Sequence, residues 1–213
     1  MSVTVKICGL TNPGDARAAV EVGADFLGFL FSPVSPRCVG GAAAAWICLI
    51  EGARKVGVFR DQDPGLVRRV REEACLDLIQ LHGHESPELC AELGGREKVI
   101  KAIPVDQRTD WGLVTAYGLV ARVLFDSGSP IGGGTGRPFD WSLLADVPPG
   151  LAFWLAGGLT PENVARALAE TRPAGVDVAT GVEAAVGRKD AGKMRAFIAA
   201  VRRSTGRRME VQA

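Results

Sequence analysis

Net charge is the first thing this 213-residue chain has little of: 25 Lys and Arg stand against 24 Asp and Glu, leaving +1. So even a balance offers no bulk attraction to nucleic acid or to an anionic membrane surface. A small anion held by local charge remains open. There is also no C-x-x-C pair among the five cysteines, Cys8, Cys38, Cys48, Cys75 and Cys90. Odd in number and scattered, they read as reduced thiols of a cytoplasmic protein, not as a disulfide framework. The opening MSVTVKICG has neither the basic start nor the apolar stretch of a secretory leader. No apolar run approaches the roughly 20 residues that span a bilayer. Export and membrane insertion are not expected. An H-x-x-x-H pair is missing too, and both histidines lie in one segment, LHGHE (81–85). A metal site is not expected, and the oligomeric state is left open with a monomer favoured.

What is present is an alternation. Apolar runs at 3–8, 25–31, 55–59, 77–82, 98–102, 122–126, 151–156 and 175–180 have the length and composition of strands. Helix-like stretches separate most of them, at 13–22, 41–53, 64–74, 86–93, 161–171 and 190–203, with 105–118 the weakest. Eight strands in strict alternation with helices predict an α/β fold with a parallel sheet. The length fits the roughly 200–250 residues of a closed (β/α)8 barrel, the TIM barrel. One domain is expected over 1–205, with 206–213 a loose polar tail. Residues 8–25 and 157–177 share one plan: strand end, G-L-T, a Pro-opened helix, then Gly before an Asp-led strand. Pro13 and Pro161 suit a first helical turn, and Asn12 and Thr160 are candidate caps.

Barrel chemistry sits at the C-terminal strand ends. Side chains alternate in direction along a strand. With Val5, Ile7, Ile79, Leu81, Val176 and Val178 facing the helices, the inward set is Cys8, His82 and Asp126 at the top, with Lys6, Gln80 and Asp177 below. Buried charge needs a partner, so this set calls for a reason. Lys6 and Asp177 are expected to pair, because β-strands eight and one become neighbours on closure. Lys6 is expected to favour thiolate at Cys8. Acid–base work and metal binding are the two functional readings; a donor and an acceptor from strands six and one suit the former. Glycine loops follow strands six, seven and eight: GGGTG (132–136), with Gly134 and Gly136, then GGLT (157–160) and TGVE (180–183). Gly157, Gly158, Gly181 and Val182 are candidate phosphate-binding residues, since backbone N–H groups there can approach an anion closely. Arg37, which follows Pro33 and Pro36 in SPVSPRCVG, could grip a carboxylate with two hydrogen bonds or be a solvated surface arginine.

The motifs KICGLT (6–11), GFLFSPVSPR (28–37), GVF (57–59), IQLHGHE (79–85), VIKA (99–102), LFDS (124–127), GGTGRPFDW (133–141), LAGGLTPENV (155–164), GVDVATGVE (175–183) and the RKD…F stretch (188–197) follow one another over nearly the whole chain. In that order they resemble phosphoribosylanthranilate isomerase of tryptophan biosynthesis. The resemblance implies a cofactor-free Amadori rearrangement of N-(5′-phosphoribosyl)anthranilate, a small phosphorylated substrate. It also implies Cys8 as general base, Asp126 as general acid, Arg37 on the anthranilate carboxylate, and the loops after strands seven and eight on the phosphate. Many relatives have S-S-G-V-E where this chain has Ala179-Thr180-Gly181, which removes one hydroxyl and keeps the backbone donors. A sister isomerase acting on the histidine-pathway aminoaldose would carry paired aspartates, whereas strand one here ends in Cys8. A non-catalytic phosphate-ligand binder would have no reason to keep both Cys8 and Asp126.

Overall fold

In the computed structural model, which describes residues 3–127 and 139–210, the apolar runs become eight parallel strands closed into a barrel in sequence order. They are β1 (Thr4–Cys8), β2 (Phe26–Leu30), β3 (Arg54–Phe59), β4 (Leu78–Leu81), β5 (Val99–Val105), β6 (Arg122–Ser127), β7 (Phe153–Leu155) and β8 (Gly175–Val178). Closure pairs β1 with β8 and sets Lys6 opposite Asp177. Alternation then divides the core into two. Val5, Ile7, Ile79, Leu81, Val176 and Val178 point outward into the helix-facing core. Phe26, Val56, Leu78, Ile100, Ala102, Leu124, Trp154 and Ala156 fill the barrel. Two residues further along β4 and β6 the same inward face carries Gln80 and Asp126, both buried. The polar layer therefore lies just above the apolar plug, at the C-terminal strand ends.

The helices are α1 (Pro13–Glu21), α2 (Ala44–Cys48), α3 (Pro64–Glu73), α4 (Pro87–Glu92), α5 (Gly95–Lys98), α6 (Trp111–Val120), α7 (Val164–Thr171) and α8 (Ala191–Glu210). Asn12, Asp63, Ser86 and Asp110 cap α1, α3, α4 and α6 with side-chain oxygens on first-turn amides. The sequence expectation differs at three places. The stretch 41–53 yields only a 3₁₀ turn (Gly41–Ala43) and the five-residue α2. After β6, where the sequence predicts no helix, the described residues form a 3₁₀ segment, Trp141–Asp146. Regular helix in α7 starts at Val164, not at Pro161. There Asn163 folds back, its Oδ1 accepting from the Thr160 amide at 2.8 Å and its Nδ2 donating to Gly158 O at 2.9 Å. The side chain thus braces the glycine loop, and Thr160 does not cap the helix. At the C-terminus α8 continues to Glu210, through five residues of the expected tail; 211–213 lie outside the described residues. A short antiparallel ribbon, β9 (Glu183–Ala185) and β10 (Arg188–Lys189), follows β8. No described helix is long and apolar enough to cross a membrane.

The cysteines depart from expectation. Cys48, ending α2, and Cys75, just after α3, form a disulfide with Cα atoms 4.9 Å apart; Cys8, Cys38 and Cys90 are free. Spacing along the chain hides this pair, because two successive βα units return to the same end of the barrel before they place the cysteines together. The bond closes a loop of sequence separation 27. In the chain-entropy account a loop of that size stabilises by about 3–4 kcal/mol. Reduction, or Cys48→Ser, is expected to lower the melting temperature by roughly 10 °C and to leave turnover unchanged, since both residues lie away from the C-terminal strand ends. Calorimetry with and without reductant checks this; coincident melting curves would show that the bond adds nothing.

Candidate active site

The expected Lys6–Asp177 pair is present. Lys6 Nζ donates to Asp177 Oδ2 at 2.8 Å, and the lysine is completely buried. Burial disfavours the ammonium, but Asp177 and Cys8 outweigh it and hold the Lys6 pKa above its ordinary value. Burial also pushes the Asp177 carboxyl up, and Lys6 pulls it only part of the way back. Oδ1 of Asp177 has no hydrogen-bond partner among the described residues.

Cys8 ends β1 opposite Gly28 of β2. A Cβ on Gly28 would stand 2.7 Å from Cys8 Sγ and 3.0 Å from Lys6 Cε. Only glycine leaves room for both inward side chains, a requirement the sequence alone does not reveal. The expected effect of Lys6 on the thiol is only half right. Burial and the carboxylate of Asp177 raise the Cys8 pKa, and the pull of Lys6 and Lys189 in the other direction does not cancel them. At neutral pH Cys8 is a thiol.

Three strands round the barrel, Asp126 ends the inward face of β6. Its Oδ1 accepts from the Ser127 amide at 2.8 Å, and its Oδ2 lies 3.1 Å from His82 Nε2. Gln80 Nε2 is 3.3 Å from His82 Nδ1. With Gln80 donating there, the imidazole proton sits on Nε2 and points at Asp126. The loop that carries His82 is pinned from behind by a buried pair that sequence reasoning does not single out. Lys101 Nζ donates to Gly83 O at 2.6 Å and to Glu85 Oε2 at 2.8 Å.

Gly157 and Gly158 have positive φ, +83° and +63°. A Cβ on Gly157 would fall 2.5 Å from the Ser127 amide nitrogen, so the loop after β7 is pressed against the end of β6. The amides of Gly157 and Gly158 have no acceptor among the described residues. Gly181 sits behind them: a Cβ there would be 2.0 Å from Leu159 O. The loops after β7 and β8 are thereby packed backbone to backbone, with Thr180–Val182 in a 3₁₀ turn and Val182 buried beneath. Gly134 and Gly136 lie outside the described residues.

Arg37, in the loop after β2, also lines the site, and it is not free. Its Nε and Nη2 donate to Oε1 and Oε2 of Glu183 at 2.8 and 2.7 Å. Glu183 also accepts from Lys189 Nζ at 2.9 Å. Burial disfavours the Glu183 carboxylate, but these two cations outweigh it and keep its pKa below the usual value. In the sequence Glu183 and Lys189 stand out only as members of longer motifs. The signal that could have found them is a pair of opposite charges flanking the short turn after β8.

These residues surround a cavity of about 400 Å³ at the C-terminal strand ends. Cys8, Arg37, Gln80, His82, Asp126, Gly157, Gly158 and Asp177 line it, with Leu30, Val34, Val58, Ala156 and Val186 as its apolar surface. Two proton-handling groups face it from different strands, β1 and β6, and a guanidinium and open glycine amides line it as well. Such a site can move a proton onto one atom and off another in a molecule that carries two anionic ends.

Known proteins give the same outline. Residues 5–200 match the family model described as N-(5′-phosphoribosyl)anthranilate isomerase. The chain is similar to the N-(5′-phosphoribosyl)anthranilate isomerase of Afipia carboxidovorans, 45% identical over 213 residues covering 95% of this chain and 90% of the relative. Among solved structures, the phosphoribosyl anthranilate isomerase of Thermus thermophilus matches with a TM-score of 0.84 and 38% identity, covering 94% of this chain and 99% of that one. Another such isomerase, solved in complex with reduced 1-(o-carboxyphenylamino)-1-deoxyribulose 5-phosphate, matches with a TM-score of 0.81 and 37% identity, covering 94% and 98%.

Proposed function

The chain belongs to the phosphoribosylanthranilate isomerase family, and from that premise we propose how its residues divide the reaction. The enzyme is an isomerase of tryptophan biosynthesis. It converts N-(5′-phosphoribosyl)anthranilate to 1-(o-carboxyphenylamino)-1-deoxyribulose 5-phosphate, an internal redox change in which a C2′ hydrogen is lost and C1′ gains one.

Asp126 gives a proton to the furanose ring oxygen as the C1′–O bond breaks, leaving an iminium between C1′ and the anthranilate nitrogen. Cys8, as thiolate, takes the proton from C2′. The electron pair of that C–H bond forms the C1′–C2′ double bond of an enolamine as the iminium pair returns to nitrogen, and the enolamine relaxes to the aminoketone when a proton adds at C1′ and the C2′ hydroxyl gives up its own. The observation that carries this reading is the placement of Cys8 and Asp126 at the ends of β1 and β6 on one cavity. Each is held by a different neighbour, Asp126 by His82 and Ser127, Cys8 beneath Lys6 and Asp177. Two groups in unlike surroundings can do opposite tasks. Because Cys8 rests as a thiol, the working thiolate is a minority form, and a strong base once formed. Gly157, Gly158 and the packed turn carrying Gly181 and Val182 are assigned to the phosphate, through backbone N–H groups.

The acid and the base suffice for these steps, and no cofactor takes part. We place the enzyme in the cytoplasm as a monomer acting on a small phosphorylated substrate, with neither nucleic acid nor membrane as partner. The Cys48–Cys75 bond is the feature that sits least easily with a reducing compartment. The test of function is turnover followed by loss of the anthranilate-sugar fluorescence, with the histidine-pathway aminoaldose as competitor. Conversion of the anthranilate substrate alone supports the assignment, and conversion of only the competitor overturns it.

Arg37→Ala is expected to raise the Michaelis constant by roughly tenfold to a hundredfold, the scale of a charged hydrogen-bonded contact, with a smaller loss in turnover. The carboxylate it grips is present in ground and transition state alike, so the interaction is mostly uniform binding. A Michaelis constant that does not move would make Arg37 a bystander.

A further inference from the structure

We infer that Glu183, backed by Lys189, is a positioning residue that holds one edge of the Arg37 guanidinium so that the other edge is presented, already oriented, to the substrate carboxylate. The inference rests on the reading of Arg37 given above. A guanidinium has two edges that can each grip a carboxylate with two parallel N–H groups, Nε–Nη2 and Nη1–Nη2. Glu183 occupies the first, at 2.8 and 2.7 Å. The Nη1–Nη2 edge is left, on a residue that lines the cavity.

The holder is itself fixed from several sides. Glu183 Oε1 also accepts from Lys189 Nζ at 2.9 Å and from the Gly187 amide at 3.3 Å. The Lys189 amide donates to Asp15 Oδ2 at 2.8 Å, which ties β10 to α1. Thr11 Oγ1 donates to Gly187 O at 2.5 Å, which ties the ribbon turn to the loop after β1. The arginine stem is confined as well. It crosses Gly9, where a Cβ would stand 2.7 Å from Arg37 Cδ, and Gly9 has φ +76°. The loops after β1, β2 and β8 therefore meet at one guanidinium, beside the base Cys8. A carboxylate seated on the free edge is placed relative to Cys8 without the arginine having to be ordered at the moment of binding.

Charge does not cancel the attraction. Arg37, Lys189 and Glu183 sum to one positive charge. Lys189 is buried and its pKa is already lowered by that burial against the pull of Glu183. Neutralising Glu183 would remove part of what holds the Lys189 proton and, above all, the contacts that fix the guanidinium.

The test uses two product analogues, one with the anthranilate carboxylate and one with plain aniline in its place, as competitive inhibitors of the intact enzyme. The readout is the ratio of their inhibition constants. Glu183→Gln is expected to shrink the preference for the carboxylated analogue about tenfold, within the usual range for coupled neighbours. In an Arg37→Ala background the same substitution should change nothing further. If Glu183→Gln weakens both analogues equally, its role is merely structural and the inference is overturned. If Arg37→Ala itself leaves the ratio intact, the carboxylate reading of Arg37 has failed, which is a different result. Arg37→Lys leaves Glu183 untouched and supplies a charge with only one point of attachment. It should lose nearly as much preference as Arg37→Ala; full retention by the lysine variant would also overturn the two-edge arrangement.

Discussion

Cys8→Ala and Asp126→Asn are each expected to lower turnover by about a hundredfold or more, the scale of removing a positioned base or acid. Folding should survive in both. Cys8 borders an existing cavity, so truncating it opens little new void. The amide that replaces the Asp126 carboxyl would keep an oxygen for the Ser127 N–H, while losing the acidic proton and the acceptor that faces His82 Nε2. Cys8→Ser should be nearly as poor as alanine, because a hydroxyl is far too weak a base near neutral pH. The direction of the Cys8 shift adds a pH signature. Below its pKa the residue is a thiol and cannot accept the C2′ proton, and burial with Asp177 has moved that pKa upward. The rising limb of the turnover profile, the one set by the base, should therefore lie to the alkaline side of where an ordinary thiol would put it. Lys6→Met, which removes a lowering influence, should push the climb further up. Alkylation offers an independent check with fewer ambiguities than five cysteines suggest. Cys48 and Cys75 are paired, and Cys90 is buried away from the cavity that Cys8 lines. Label that inactivates should map to Cys8 and be blocked by a product analogue. Near-normal turnover in Cys8→Ala, or inactivation that maps only to Cys38, would remove the assigned base while leaving the family unchanged.

The fold is legible in the sequence because its signal is repeated. Each of eight short apolar runs has only to be placed within a residue or two, and a period of two along each then sets which side chains face in. The same arithmetic finds the top and bottom of the site. Lys6 and Asp177 can be paired from sequence alone, since closure of a barrel makes the first and last strands neighbours. What stays hidden depends on distances that the chain does not encode locally. Arg37 and Glu183 are 146 residues apart and meet only because the loops after β2 and β8 converge across Gly9. The reason for Gly28 lies in the side chains of a neighbouring strand, Cys8 and Lys6. The charge state of Cys8 escapes the sequence for a related reason. A lysine two residues away is visible there, whereas complete burial and a carboxylate arriving from β8 are products of folding. Cys48 and Cys75 are separated by a whole βα unit and show no motif. Asn163 displaces the helix start because its amide has two partners in the glycine loop, and no propensity scale carries that information.

Lys6→Met is expected to destabilise the protein by about 3–5 kcal/mol, the cost of stranding the partner of a buried ion pair. Lys6 is completely buried and Asp177 nearly so, and Oδ1 of Asp177 already lacks a partner among the described residues. Removing the ammonium leaves the carboxylate with no cation in contact, so its pKa must rise beyond the level that burial gives it now. That sets the sign of the pH dependence. A carboxyl with a raised pKa binds a proton more tightly when folded, so its stabilising contribution is present at low pH. It is lost as pH rises from the unfolded pKa through the folded one. The defect of Lys6→Met should therefore be largest near neutral pH and shrink as the solution is acidified. The wild-type pair adds a loss of the same sign at the other end of the scale. The raised pKa of Lys6 keeps its contribution in place below the unfolded lysine value, and that contribution fades only as pH climbs through the folded value. Combining Lys6→Met with Asp177→Leu should recover much of the lost stability, since removing both charges leaves an apolar contact where a stranded ion had been. Urea unfolding of the wild type and both variants at acidic and neutral pH measures all of this. A Lys6→Met cost below about 1 kcal/mol, the level of a surface pair, or one that stays constant with pH, would mean that Asp177 finds another partner and that the pair is not what holds the floor of the site.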